Sequence, residues 1–226
     1  LLSNLLGKRR FNKAAGILSG GEVLFGVMLP RCKEVIAVDH SYGSLAAAYM
    51  KAILLDMLGV KALKELFIEG SYDQLFPHLK AAVVHMPHEL TKYVNILEKQ
   101  SGGYYGSSLF ANDLIGLRRE WFYMKDSTLE RARRRLDKVI VIHGDLMDLG
   151  NFGQFELLYI SNAMEHANRN AKTPQLLEMA KLVTGDGLLL TTSNGGPVKT
   201  NTQEWELVKS IRGFRTSWSH NLYKRL

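Results

Sequence analysis

Apolar positions along the chain follow two alternating patterns. Five short runs rich in Val, Ile and Leu, at 14–19 (AAGILS), 34–39 (EVIAVD), 139–143 (VIVIH), 155–161 (FELLYIS) and 187–193 (GLLLTTS), are bounded by Gly, Asp or Asn. Strands buried on both faces have this character. Between them, apolar residues recur at helical spacing over about 22–29, 43–58, 127–136, 174–184 and 202–211. The alternation predicts an α/β fold, a mostly parallel sheet with helices on both faces, in which ligands bind beyond the carboxyl ends of the strands.

The rhythm breaks between 60 and 126. That stretch holds no strand-like run but four helical ones: VKALKELFI, DQLFPHLKAAV, PHELTKYVNILEKQ and FANDLIGLRREWFYM. A helical insertion between the second and third strands is predicted, within a single domain spanning 1–226. The tail GFRTSWSHNLYKRL reads as a last strand, or as two strands turning at His220 and Asn221.

Composition adds bounds rather than chemistry. With 226 residues, 46% hydrophobic and 23% charged, the chain has the makings of one globular core. Its uninterrupted apolar runs are shorter than the roughly 20 residues a bilayer span needs, so no membrane crossing is expected. The opening LLSNLLGKRRF sets its positive charges after the apolar stretch, opposite to the order in a secretion signal; a truncated or processed start reads equally well. One cysteine, Cys32, excludes an internal disulfide framework and a multi-cysteine metal site. A cytoplasmic location is expected on these grounds, and no metal site. The net charge of +7 favours anionic partners, either nucleic acid, acidic lipid or a phosphorylated substrate. The cluster Arg131, Arg133, Arg134, Arg135 is either a solvated helix face or an anionic docking surface for lipid head groups or RNA, the former adding a peripheral position at a membrane.

Candidate chemistry sits where the predicted strands end. After the first, Ser19, Gly20 and Gly21 let the backbone approach a ligand closely, and the following helix start offers N–H groups to a carboxylate or phosphate. Glu22 would repel a pyrophosphate there, so the loop suits a zwitterion whose ammonium meets Glu22; a turn packed for its own sake is the alternative. Asp39, nineteen residues after Gly20, can accept both hydroxyls of a ribose or else cap the helix starting near Ser41, and His40 stands beside it. Asp145 can accept from an adenine amino group while Leu146 or Met147 packs on the ring, with Asp148 as a helix cap. Ser161 and Asn162 end the fourth strand, and Glu165 and His166 follow one turn on, as candidates for proton transfer or as structural residues. Tyr104 and Tyr105, in the polar, glycine-rich SGGYYGSSLFAND, can cover a bound ligand or merely pack at a loop.

A glycine turn, acids after the second and third strands and a polar pair after the fourth resemble the S-adenosylmethionine (SAM) site of Rossmann-like methyltransferases. The stretches ILSGGEVLFGVMLPRCKEVIAVDHSYGSLAAAYMKAILLDML, LLYISNAMEHANRN and LLEMAKLVTGDGLLLTTS further resemble the betaine-lipid synthesis family, over 14–67 and 139–193. That family transfers the 3-amino-3-carboxypropyl group of SAM to diacylglycerol. The resemblance implies a class I methyltransferase fold, SAM as group donor, Ser19, Gly20 and Gly21 at its methionine end, Asp39 at the ribose, Asp145 at the adenine, and Ser161 with Asn162 lining the transfer site. Where the family's SN motif commonly continues with an Asp-Trp-like pair, this chain has Glu165 and His166. The resemblance puts aminocarboxypropyl transfer to a lipid-like acceptor first, with methyl transfer to a small molecule, lipid or RNA, and SAM binding without catalysis in a regulatory module, as the alternatives. A nicotinamide-dependent dehydrogenase fits less well, because SGGE lacks the third glycine of a dinucleotide loop.

Overall fold

The computed structural model describes residues 5–19, 21–68, 72–100, 124–161, 181–194, 204–212 and 218–226. They form two compact units, one comprising 1–17, 31–38 and 138–226 and the other 18–30 and 39–137.

The first unit is built on a seven-stranded sheet in the order β3-β2-β1-β4-β5-β7-β6, with β1 Phe11–Ile17, β2 Cys32–Asp39, β3 Val139–His143, β4 Phe155–Tyr159, β5 Val183–Asn194, β6 Trp205–Arg212 and β7 Trp218–Arg225. Strands β2, β1, β4 and β5 run parallel, while β7 inserts antiparallel between β5 and β6. The central strands carry β-branched and leucine side chains on both faces. A core of Ala15, Ile36, Val38, Leu158, Ile160 and Leu189 closes over Phe155, Trp205 and Tyr223. Burying each such aliphatic side chain stabilises the fold by about 1.5–3 kcal/mol.

Strand β1 needs a glycine. Gly16 stands opposite Tyr159 in the ladder, and a Cβ there would lie 2.5 Å from the Tyr159 carbonyl oxygen. Two positions beyond the ends of adjacent β1 and β4, Ser19 and Ser161 both adopt positive φ, 47° and 49°. Such left-handed serines are uncommon and mark sharp exits from a strand.

The second unit is helical. A π-helical turn, Leu24–Met28, follows the loop after β1, with the Leu29 N–H donating to the Leu24 carbonyl at 2.9 Å. Then come α1 Tyr42–Ile68, α2 Tyr72–Val84, α3 His88–Gln100 and α4 Asp126–Arg133, with α1 packing against each of the other three. Where it is described, the predicted insertion is thus mostly helical, with a turn at 85–87; its FANDLIGLRREWFYM run lies outside the described residues, apart from Met124. Helix α1 bends at Gly59, whose φ of 73° and ψ of 171° lie where only glycine is comfortable.

By length and composition, the stretch Tyr42–Leu66 of α1 is long and apolar enough to cross a membrane, which the short uninterrupted runs of the sequence concealed. It serves instead as the core of its unit: Leu45, Met50, Leu54 and Leu55 are buried, and Lys51 and Asp56 interrupt its apolar surface with ion pairs.

Three sequence expectations are corrected. The stretch 202–211 is not helical where described: β6 occupies Trp205–Arg212. Trp205, Val208 and Ile211 imitate a helical stripe because a bulge between Leu207 and Lys209 breaks the strand's alternation, leaving residues 206–210 exposed beside a buried Trp205. His220 and Asn221 do not turn but lie within β7, paired with Thr192 and Thr191 of β5. Residues Val183 and Thr184, expected to end a helix, begin β5; 174–180 lie outside the described residues.

Candidate functional site

The loop after β1 is fixed by its own backbone before any ligand is considered. The Gly21 N–H donates to the Leu18 carbonyl at 2.9 Å, and the Gly21 carbonyl accepts from Phe25 at 3.0 Å. Gly21 has a φ of 89°, and a Cβ there would lie 2.8 Å from the Phe25 ring and 3.3 Å from Ala48 Cβ. Glycine is therefore required both for conformation and for room. Gly20 lies outside the described residues.

Asp39, only 5% exposed, ends β2 and divides its carboxylate between two backbone donors. Oδ2 accepts from the Ser19 N–H and Oδ1 from the Ser41 N–H, both at 2.9 Å. A carboxylate has about four lone-pair directions, so each oxygen keeps acceptor capacity. The helix-capping role expected as the alternative for Asp39 is taken by Ser41, whose carbonyl accepts from Leu45 at 3.0 Å and whose Oγ accepts from Ser44 at 3.4 Å. His40 is exposed, with Nδ1 3.9 Å from Asp39 Oδ1. Tyr42, at the first turn of α1, stacks on Tyr93 of α3 with ring centroids 5.8 Å apart.

Glu22 has a protein partner that the sequence did not show. Its Oε1 already accepts from Lys51 Nζ at 2.5 Å, and Lys51 is 1% exposed. Lys51 was missed in the sequence, although a signal existed: Ala47, Leu54 and Leu55, at i−4, i+3 and i+4 from it, are all buried, so this lysine interrupts an apolar helical stripe.

Within the sheet unit, Asp145 follows β3 and forms a reciprocal cap on the 3-10 helix Leu146–Phe152: its Oδ1 accepts from the Met147 N–H at 3.1 Å while its own N–H donates to Asp148 Oδ2 at 2.7 Å. Both acids cap, where capping was expected of Asp148 alone. Leu146 is buried in the core and Met147 is exposed, so of the two only Met147 offers a free apolar face. The Ser161 carbonyl accepts from Thr192 at 2.9 Å, tying the exit of β4 to β5. Tyr104, Tyr105, Asn162, Glu165 and His166 lie outside the described residues.

The arginine cluster does not present a single cationic face. Arg133 donates to the Asp56 carbonyl at 2.9 Å and stands 3.9 Å from the Asp56 carboxylate. The Arg135 Nε is buried with no hydrogen-bond partner. Arg131 and Arg134 are the exposed members.

No protein-family model matches the sequence, and no curated protein matches it. Among solved structures, the chain is similar to the N-methyltransferase NodS from Bradyrhizobium japonicum WM9, at 8% identity with a TM-score of 0.53, over 99% of this chain and 91% of that one. It is also similar to the rRNA methyltransferase aviRa from Streptomyces viridochromogenes, at 10% identity with a TM-score of 0.52, over 99% of this chain and 81% of that one. The fold is that of the class I methyltransferases.

Proposed function

We propose that the protein is a SAM-dependent transferase, with the donor's amino-acid end on the loop 18–22 and its ribose at Asp39. One observation carries the reading: in a class I methyltransferase fold, the acid ending β2 is buried, fixed by two backbone N–H groups and still has lone pairs for two hydroxyls. Fixing the acceptor in advance lowers the ordering cost of binding a diol. SAM supplies a sulfonium with activated carbons; the chain's task is to hold it and aim one carbon at an acceptor.

Methyl transfer is the leading reading of the group moved, supported by the fold shared with an N-methyltransferase and an rRNA methyltransferase. Aminocarboxypropyl transfer, with a lipid-like acceptor, is the second, supported by the resemblance of 14–67 and 139–193 to the betaine-lipid family. Incubation with SAM and lipid, RNA and small-molecule acceptors, followed by mass spectrometry of the nucleoside product, separates them. S-adenosylhomocysteine marks methyl transfer and methylthioadenosine marks the other. SAM binding with neither product points to a non-catalytic module, and preferential binding of NADH overturns the proposal.

A further inference from the structure

Lys51 and Glu22 form a pair whose placement asks for a reason beyond stability. Lys51 sits on the buried stripe of α1 among Ala47, Leu54 and Leu55, 1% exposed, with its ammonium 2.5 Å from Glu22 Oε1. Withdrawing both charges from water costs as much as, or more than, their attraction returns, and an apolar residue of similar volume commonly serves stability as well. Glu22 is the less buried partner, with its side chain 25% exposed. It follows directly on Gly21, in a loop already held by the Ser19–Asp39 and Gly21–Leu18 hydrogen bonds. One carboxylate oxygen is thus held from beneath by a buried cation, on a backbone that is fixed.

We propose that Lys51 is a positioning residue for the zwitterionic amino-acid end of the donor, acting through Glu22; this rests on the SAM reading above. Glu22 Oε1 is held by Lys51, and the other oxygen, Oε2, accepts from the donor's ammonium. The lysine charge balances the glutamate, so the donor's carboxylate meets a locally neutral pair rather than a bare anion that would repel it. The same pair discriminates against nucleosides that lack an amino-acid end.

The experiment is calorimetric titration of the full chain with SAM and with methylthioadenosine, which has the adenine, ribose and sulfur but no amino-acid end. Wild type is compared with Glu22→Gln and Lys51→Met, and thermal melting reports the fold of each. Glu22→Gln is the safer variant, because its amide oxygen still accepts from Lys51 at a partly exposed position. Both variants are expected to weaken SAM about tenfold or more, or about 1.4 kcal/mol, while methylthioadenosine affinity stays within about twofold. Equal weakening of both ligands, or of neither, in the folded Glu22→Gln variant overturns the inference while leaving the donor reading in place. A wild-type protein that binds neither ligand removes the donor reading, and this inference with it.

Discussion

The Ser19 N–H and the Asp39 carboxylate, twenty positions apart in sequence, meet at 2.9 Å and join the loop after β1 to the end of β2. Since Ser19 also carries a left-handed φ of 47°, the bond holds a backbone conformation that serine rarely adopts alone. Asp39→Asn keeps the shape but replaces one acceptor oxygen with an NH2 that must face either the Ser19 or the Ser41 N–H. A loss of about 1–3 kcal/mol is expected for a charge-assisted pair broken in a buried place, measured by urea denaturation. SAM and methylthioadenosine should weaken together, because both carry the ribose. Affinity for both ligands unchanged in Asp39→Asn would assign Asp39 to loop anchoring alone.

How much of this was legible in the sequence depends on which interactions set each element. Strands β1, β2, β4 and β5 announce themselves through continuous apolar runs that are largely buried, and β3 shows the same kind of run although it is half-exposed. The five runs locate β1 to β5, with ends off by a few residues: β1 begins at Phe11 rather than at 14, and only β3 matches its run at both ends. β6 hides because its exposed face and bulge leave no alternation, and its pairing with β7 is a long-range contact that no local pattern carries. Asp39 stands out from its spacing after the glycine turn. Lys51 does not, since its meaning comes from Glu22, twenty-nine positions earlier. Asp145 was legible as an acid after β3, but its capping geometry depends on a 3-10 turn that short windows do not distinguish from a loop.

Gly16 should tolerate no side chain. The contact a Cβ would make, 2.5 Å from Tyr159 O and 2.8 Å from Tyr159 Cβ, is mainly with the backbone of a neighbouring central strand, which cannot rotate away. Gly16→Ala is expected to destabilise the protein by about 1–3 kcal/mol through overpacking, read as a lower denaturation midpoint with an unchanged slope. Gly153, with open space around its Cβ position but a φ of 79°, is the control that isolates backbone strain from crowding.

Gly59 gives a second backbone test, in the helical unit. Its φ of 73° and ψ of 171° bend α1, and Arg133 NH1 lies 3.5 Å from the position a Cβ would take. Gly59→Ala should cost about 1–3 kcal/mol from the backbone alone. Arg133→Ala removes a long, half-exposed ion pair and one hydrogen bond to the Asp56 carbonyl and should cost about 1 kcal/mol. Thermal melts of the two variants rank them; the reverse order would mean that the arginine, rather than the glycine, sets the bend.

His220 predicts how stability responds to acid. It lies in β7 opposite Thr192 of β5 and Ile211 of β6, its Nδ1 is buried without a hydrogen-bond partner, and burial holds its pKa below the usual 6.5. In the unfolded chain the imidazole takes up a proton near pH 6.5, whereas in the folded protein it resists until the pH is lower. Its contribution is therefore fully present above about pH 6.5, declines as the pH falls through the interval between the unfolded and the depressed folded value, and is gone below the latter. Replacing it with Gln removes the titration while leaving a polar side chain on the strand. The difference in melting temperature between wild type and His220→Gln, followed from pH 8 to pH 5, isolates this histidine from the others in the chain. Wild type should lose ground relative to the variant as the solution is acidified, and a difference that stays flat across that range would show that His220 titrates alike in both states.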